Sequence, residues 1–191
     1  LAERAEKQSG NRMKKKILIV VVVVILIGFL LPQSVVIPVQ GATVNDWNAQ
    51  SFWYEPWGQS GVHKGIDIFG KYGTPLLAAT YGIVVFRGEL ALGGKVIAIL
   101  GPKWRIHYYA HLSSIDVIPG EVISIGEVIG AVGDTGNAQG KPPHLHYVVL
   151  TILPYPWRWD GATQGWKKML FLNPGAVLAA TQAPGENDTI E

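Results

Sequence analysis

The segment GKPPHLHYVVL, residues 140–150, sets His144 and His146 two positions apart at the start of an apolar run. On a strand, side chains two apart point the same way, so both imidazoles share one face while Leu145 and Tyr147 take the other. Pro142 and Pro143 hold the entry extended, because a residue preceding proline avoids the helical region. A second group lies in GVHKGIDIFG, where Asp67 is flanked by Ile66 and Ile68 and so leaves the face opposite the isoleucines. His63 has the parity of Asp67, and a helix would also bring positions four apart together. Gly65 between them leaves room for a ligand or for the facing backbone. In WRIHYYAHL, His107, Tyr109 and His111 share a parity, with His111 where the strand gives way to a turn, a common station for functional residues.

Two histidines and one carboxylate meet the usual demand of a catalytic zinc, three protein ligands with a fourth position for water. Bound Zn²⁺ lowers the pKa of water towards ~7 and polarises a carbonyl, so such a set points to amide hydrolysis at neutral pH. The chain has no HExxH helix to supply a glutamate base. Proton handling therefore falls to the histidines that do not bind metal, whose ordinary pKa suits acid–base work. Spacing makes His63, Asp67, His111, His144 and His146 the candidates without dividing them between the two roles. His107 is assigned a mainly structural place, since no constellation requires it. A single buried histidine is usually a hydrogen-bonded core residue, but His-x-His, His-x-x-x-Asp and a strand-end histidine in one small domain are more than coincidence. With no cysteine in the chain, disulfides and thiolate sites are excluded, and any metal must be held by His, Asp or Glu.

The elements that must position these residues read as short strands cut by glycines. YGIVVFRG, GGKVIAILG, WRIHYYAHL, EVISIGEVIGAVG and HLHYVVLTIL are β-branched and aromatic runs bounded by Gly, Pro or Asp. This predicts a compact all-β domain over residues 44–181 with one short C-terminal helix at 173–181, capped by Asn173 with Pro174 in its first turn. Residues 154–168 are predicted as a long loop and 182–191 as a disordered tail. No repeat of 20–50 residues is present.

The N-terminal part is of another kind. Residues 1–16 hold six Lys/Arg against Glu3 and Glu6, while the rest holds ten Lys/Arg against twelve Asp/Glu. The formal charge of +2 is thus a topology signal beside an apolar run, and a nucleic-acid partner is excluded. The unbroken apolar stretch at 17–31 gives roughly 22 Å of helix, short of the ~30 Å hydrocarbon core. Continued past Pro32 to Val39 it would reach about 34 Å and span. Residues 17–39 are accordingly read either as a signal peptide cleaved near Val39 and Gly41 or as an uncleaved anchor in the bacterial inner membrane. Both place the β domain outside the cytoplasm.

With these residues assembled, the chain resembles the lysostaphin/LytM-type zinc endopeptidases, which cut the peptide part of bacterial peptidoglycan. HKGIDIFGKYGTPLLAATYGIVV is similar to their His-x-Gly-x-Asp block. YAHLSSIDVIPGEVISIGEVIGAVGDTGNAQGKPPHLHYVV is similar to their Tyr-x-His-Leu to His-Leu-His block. The likeness covers roughly residues 58–150. It implies a domain built as an antiparallel β-sheet groove, zinc held by His63, Asp67 and His146, and His111 and His144 as the catalytic pair. The implied substrate is a peptidoglycan cross-bridge or stem peptide. Val148 stands where an acidic residue is frequent in the family, and Pro142 adds a proline before the usual Gly-Pro-His. An alternative of another class is a membrane-tethered, zinc-bound module that activates a separate wall hydrolase. A lipoyl-carrier reading of VIPGEVISIGEVIGAVG fails for want of the Asp-Lys pair at a hairpin tip. The tryptophans at 47, 53 and 57 and at 157, 159 and 166 are read as plugs of the domain ends or as walls of the groove.

Overall fold

The computed structural model describes residues 2–180, with side chains from residue 10 onward. The chain divides into two compact units, Leu1–Pro32 and Gln33–Glu191. The tail expected at 182–191 lies outside the described residues.

The first unit is one helix, α1 (Ala2–Leu30). It stops where Pro32 withdraws a backbone donor and biases its predecessor away from helix. The continuation to Val39 that a membrane span required is not formed, and no helix among the described residues is long and apolar enough to cross a membrane. The apolar stretch inside α1 is too short, with Lys14, Lys15 and Lys16 at its start. The reading of 17–39 as one continuous span thus finds no matching helix among the described residues. Val35, Ile37 and Val39 are instead buried in the core of the second unit. They run beside a short strand through Val36 N–H to Ala79 O (2.9 Å), Leu77 N–H to Pro38 O (2.8 Å) and Gln40 N–H to Pro75 O (3.1 Å). The second compact unit thus starts at Gln33, ahead of the expected Val44, and cleavage near Gly41 would strip three residues from its core.

The second unit holds, among the described residues, the strands β1 (Ile66–Phe69), β2 (Pro75–Leu77), β3 (Gly82–Leu90), β4 (Gly94–Gly101), β5 (Arg105–Ile115), β6 (Val122–Ile123), β7 (Val128–Val132), β8 (His144–Thr151) and β9 (Phe171–Leu172). They pair antiparallel in the order β1-β8-β5-β4-β3-β6, with β7 joining β2 to β5 and β9 on β8. A short helix, α2 (Pro174–Ala180), closes the domain, its first turn capped by Asn173 Oδ1 accepting from Ala176 N–H (3.3 Å). Residues 154–168 are not wholly irregular, since 3-10 turns form at Pro156–Arg158 and Gly165–Met169.

Alternation sorts the faces. Ile66 and Ile68 of β1 and Leu145, Tyr147 and Val149 of β8 join the core with Ile97, Ile99, Tyr109 and Leu112. The opposite parity in the same strands, Asp67, Phe69, His144, His146 and Val148, lines an open groove. In β5 strict alternation fails. His107 and Tyr109 are buried away from the groove, whereas Tyr108 and His111 line it. His111 has φ +68°, and the β4–β5 register slips between Lys95 and Ile97. This bulge turns His111 to the face opposite Tyr109, so the shared parity of His107, Tyr109 and His111 does not survive to the last of them.

Candidate metal centre

Asp67 and His146 are direct register partners across β1 and β8, and Ala110 of β5 pairs with His146 from the other side. His63 precedes β1 and is placed by a hairpin from Ser51. Trp53 N–H donates to His63 O (2.7 Å), His63 N–H donates to Tyr54 O (3.0 Å), and Trp57 and Gly61 exchange backbone bonds at 2.9 and 3.0 Å. The hairpin also sets the imidazole. His63 Nδ1 lies 2.9 Å from Ser51 O and can only donate to it, which leaves Nε2 with its lone pair. The Trp57 ring stacks on His63 with centroids 4.0 Å apart and planes at 23°. Gly65 is required by close approach: a Cβ there would meet Tyr147 O at 2.4 Å and Val148 Cγ2 at 2.8 Å. What Gly65 makes room for is thus the facing backbone.

The donor atoms converge. Asp67 Oδ1 is 3.1 Å from His63 Nε2 and 2.8 Å from His146 Nδ1, and the two nitrogens are 3.1 Å apart. A tetrahedral ion bonded at about 2.0–2.1 Å holds its donors about 3.3 Å from one another, so the trio is close to the size zinc needs. The chemistry of the set fits as well. A carboxylate oxygen and an imidazole lone pair face each other, and electron-rich atoms meet this way only around a proton or a cation. His63 is fully buried, while Asp67 and His146 are partly open to the groove. Burial opposes ionisation of Asp67, but hydrogen bonds to His146 and His63 outweigh it and hold the carboxyl well below the usual carboxylate range. Burial pushes the His146 imidazole down, with Asp67 opposing.

Two further imidazoles border the same space. His111 Nδ1 donates to Thr135 O and His144 Nδ1 donates to Pro142 O, each at 2.8 Å. Both rings therefore carry their basic nitrogen at Nε2. Their centroids are 5.0 Å apart, edge to face, and His111 lies 5.9 Å from His146. Burial, and then the neighbouring His146, lowers the His111 pKa to about 4. His107 stands apart, 1% exposed, with Nδ1 bonded to the Tyr147 hydroxyl. Burial, then Arg105, depresses its pKa to about 3.

All five candidate residues thus line one groove of about 810 Å³. Sequence reasoning missed others that share it: Lys64, Phe69, Tyr108 and Asn137. Phe69 was recoverable from the alternation of β1, where it shares the parity of Asp67; alternation in β5 set Tyr108 opposite His111, and Lys64 and Asn137 depend on loop shape. Of the aromatics, Trp57 and Phe171 wall the groove, Trp47 is in the core, and Trp157, Trp159 and Trp166 are exposed.

Comparison with known proteins agrees with this architecture. Residues 61–153 match the model of Peptidase family M23. The chain is 38% identical over 111 residues to the L-Ala–D-Glu endopeptidase of Bacillus subtilis, a match covering 53% of this chain and 34% of that protein. It is 36% identical over 89 residues to lysostaphin of Staphylococcus simulans, covering 46% of this chain and 18% of that one. The matched part is thus at most about a third of these relatives' length. Among solved structures, the catalytic domain of lysostaphin from Staphylococcus simulans is 26% identical with a TM-score of 0.56, covering 71% of this chain and 95% of that chain. An M23 peptidase structure from Pseudomonas aeruginosa is also 26% identical, with a TM-score of 0.53 over 78% of this chain and 51% of that chain. The likeness to Peptidase family M23 thus lies in residues 61–153, which hold the whole candidate metal centre.

Proposed function

We propose that this protein is a zinc-dependent endopeptidase that hydrolyses amide bonds in the cross-bridges or stem peptides of bacterial peptidoglycan, and so acts outside the cytoplasm. One observation carries the reading: three donor atoms lie within 2.8–3.1 Å of one another in a groove that also presents two imidazoles fixed by backbone carbonyls. The family and the named activity of the Bacillus subtilis relative support peptidoglycan peptides as the substrate class.

His63 Nε2, Asp67 Oδ1 and His146 Nδ1 would hold the ion. Zinc, when bound, supplies Lewis-acid polarisation of a carbonyl and acidification of water. His111 is neutral at pH 7, and its Nε2 would accept the proton of the attacking water. His144 sits edge-on to His111 with the same Nδ1 anchor, so its Nε2 is the second station for that proton. An imidazole that has gained the proton is a donor for the developing oxyanion or the departing amine. The Thr135 and Pro142 carbonyls keep both rings from flipping, which fixes where proton transfer occurs.

The zinc-loaded full chain incubated with purified sacculi is expected to release peptides detectable by mass spectrometry. Chelation should abolish release and added zinc should restore it. Undiminished release by the metal-free protein would refute the reading.

A further inference from the structure

We infer that Lys64, in the groove lining, and Lys167, tied to it through Gln164, form an anion subsite beside the candidate metal centre, which selects peptides carrying a free carboxylate next to the scissile bond. This rests on the endopeptidase reading for the identity of the substrate.

Lys64 follows His63 in the chain and lines the groove. Its Nζ donates to Ser60 O (2.8 Å) and Val62 O (3.3 Å). Gln164 Nε2 donates to the same Ser60 carbonyl (3.0 Å), and Gln164 Oε1 accepts from Lys167 Nζ (2.8 Å). One carbonyl and one amide thus link the two ammonium groups in a single relay. Neither has a carboxylate within ion-pair reach among the described residues, whereas neighbouring Lys168 is paired with Asp160.

The local backbone is shaped around this relay. Gln164 adopts φ +54°, uncommon for a residue other than glycine. Gly61 leaves space for its amide, since a Cβ at position 61 would come within 2.6 Å of Gln164 Nε2. The groove itself supplies no competing anion. Asp67 is its sole acidic lining residue among those described, and it belongs to the metal centre, while Lys141 adds a further cation to the lining. Lys167 Nζ also lies 5.5 Å from the centroid of the Trp166 ring, and an incoming carboxylate would give both ammonium groups the charge-assisted hydrogen bond they lack among the described residues. Because Lys64 adjoins the donor His63, a carboxylate reaching it belongs to a residue close to the amide at the metal centre.

The test uses the full chain loaded with zinc and two synthetic peptides, L-Ala-D-Glu-L-Lys-D-Ala amide with D-Glu joined to Lys through its γ-carboxyl and its α-carboxyl either free or amidated. Affinities are measured by titration calorimetry in a His111→Ala background to prevent turnover, at low salt. The free acid is expected to bind about 10-fold tighter than the amide. Lys167→Met and, separately, Lys64→Met should each shrink that preference to about 2-fold or less, and Lys168→Met should leave it intact. Equal affinities, binding of neither peptide, or a preference untouched by Lys167→Met would overturn the subsite. Cleavage by the wild-type chain is scored separately, as peptide release from purified sacculi. A carboxylate preference in binding with no cleavage refutes the endopeptidase reading and leaves the subsite standing. Cleavage without any preference does the reverse.

Discussion

Asp67 Oδ1 and His146 Nδ1 lie 2.8 Å apart although 79 positions separate them in the chain, because the two residues are register partners on β1 and β8. Two of the three candidate metal donors are therefore brought together by the backbone ladder rather than by the reach of long side chains, and His63 completes the trio from the hairpin that precedes β1. A slip of one residue between β1 and β8 would send Asp67 into the core.

Metal binding and proton transfer are expected to separate by mutation. Asp67→Ala and His146→Ala should each weaken zinc binding by more than the roughly 10–100-fold typical of losing an outer partner. His111→Ala and His144→Ala should leave zinc affinity close to wild type while slowing peptide release by about 10²–10⁴-fold. Competition with a chromophoric chelator measures the first pair of effects, and mass spectrometry of released peptides the second. Zinc affinity lost equally in all four variants would contradict this division of labour.

Gly65→Ala is expected to injure the centre without touching any donor. The added methyl meets Tyr147 O, Val148 Cγ2 and, at 3.1 Å, His146 Cε1, so β1 must part from β8. Overpacking of this kind costs about 1–3 kcal/mol, read as a lowered denaturation midpoint. A weaker zinc site should accompany it, and a variant as stable as wild type would show that the strands tolerate the shift.

The zinc-free domain should lose stability in acid through His107. Its folded pKa is depressed to about 3, below the ~6.5 of an unfolded histidine. Between those values the unfolded chain binds the extra proton, so the stabilisation is complete above about pH 6.5 and declines as pH falls towards 3. The slope approaches about 1.4 kcal/mol per pH unit from this group alone. Urea titrations at several pH values should show that slope reduced in His107→Gln. An unchanged slope would place the acid sensitivity elsewhere, with the depressed His111 and His146 as the remaining contributors.

Truncations locate the start of the domain. Removing residues 1–32 should leave the stability of the β domain unchanged, since Gln33 begins the second compact unit. Removing residues 1–41 also deletes Val35, Ile37 and Val39 from the core, at about 1.5–3 kcal/mol for each buried side chain as an upper estimate. That sum rivals the ~5–15 kcal/mol margin of a whole domain. Calorimetric melting of the two truncations decides the matter, and equal melting temperatures would place the boundary at residue 42.

What the sequence determined by itself was local and periodic. A period of two needs no tertiary information, so HLHYVVL and GIDIF already turned His144, His146 and Asp67 away from Leu145, Ile66 and Ile68, as the strands do. Glycine and proline punctuation marked most of the strands for the same reason. The tertiary structure decided what depends on distant partners. The bulge at His111 arises where β5 must pair with β4 and β7 as well as β8, and no alternation within β5 announces it. The fate of Val35, Ile37 and Val39 turned on an unpaired edge at β2, which offers their backbone hydrogen bonds that a continued helix beyond Pro32 would lack. Likewise Ser51, Trp57 and Gln164 meet the metal centre or its neighbouring lysines through loops closed by long-range hydrogen bonds. Chain geometry sets which way a strand residue faces; only packing between distant segments sets what it meets there.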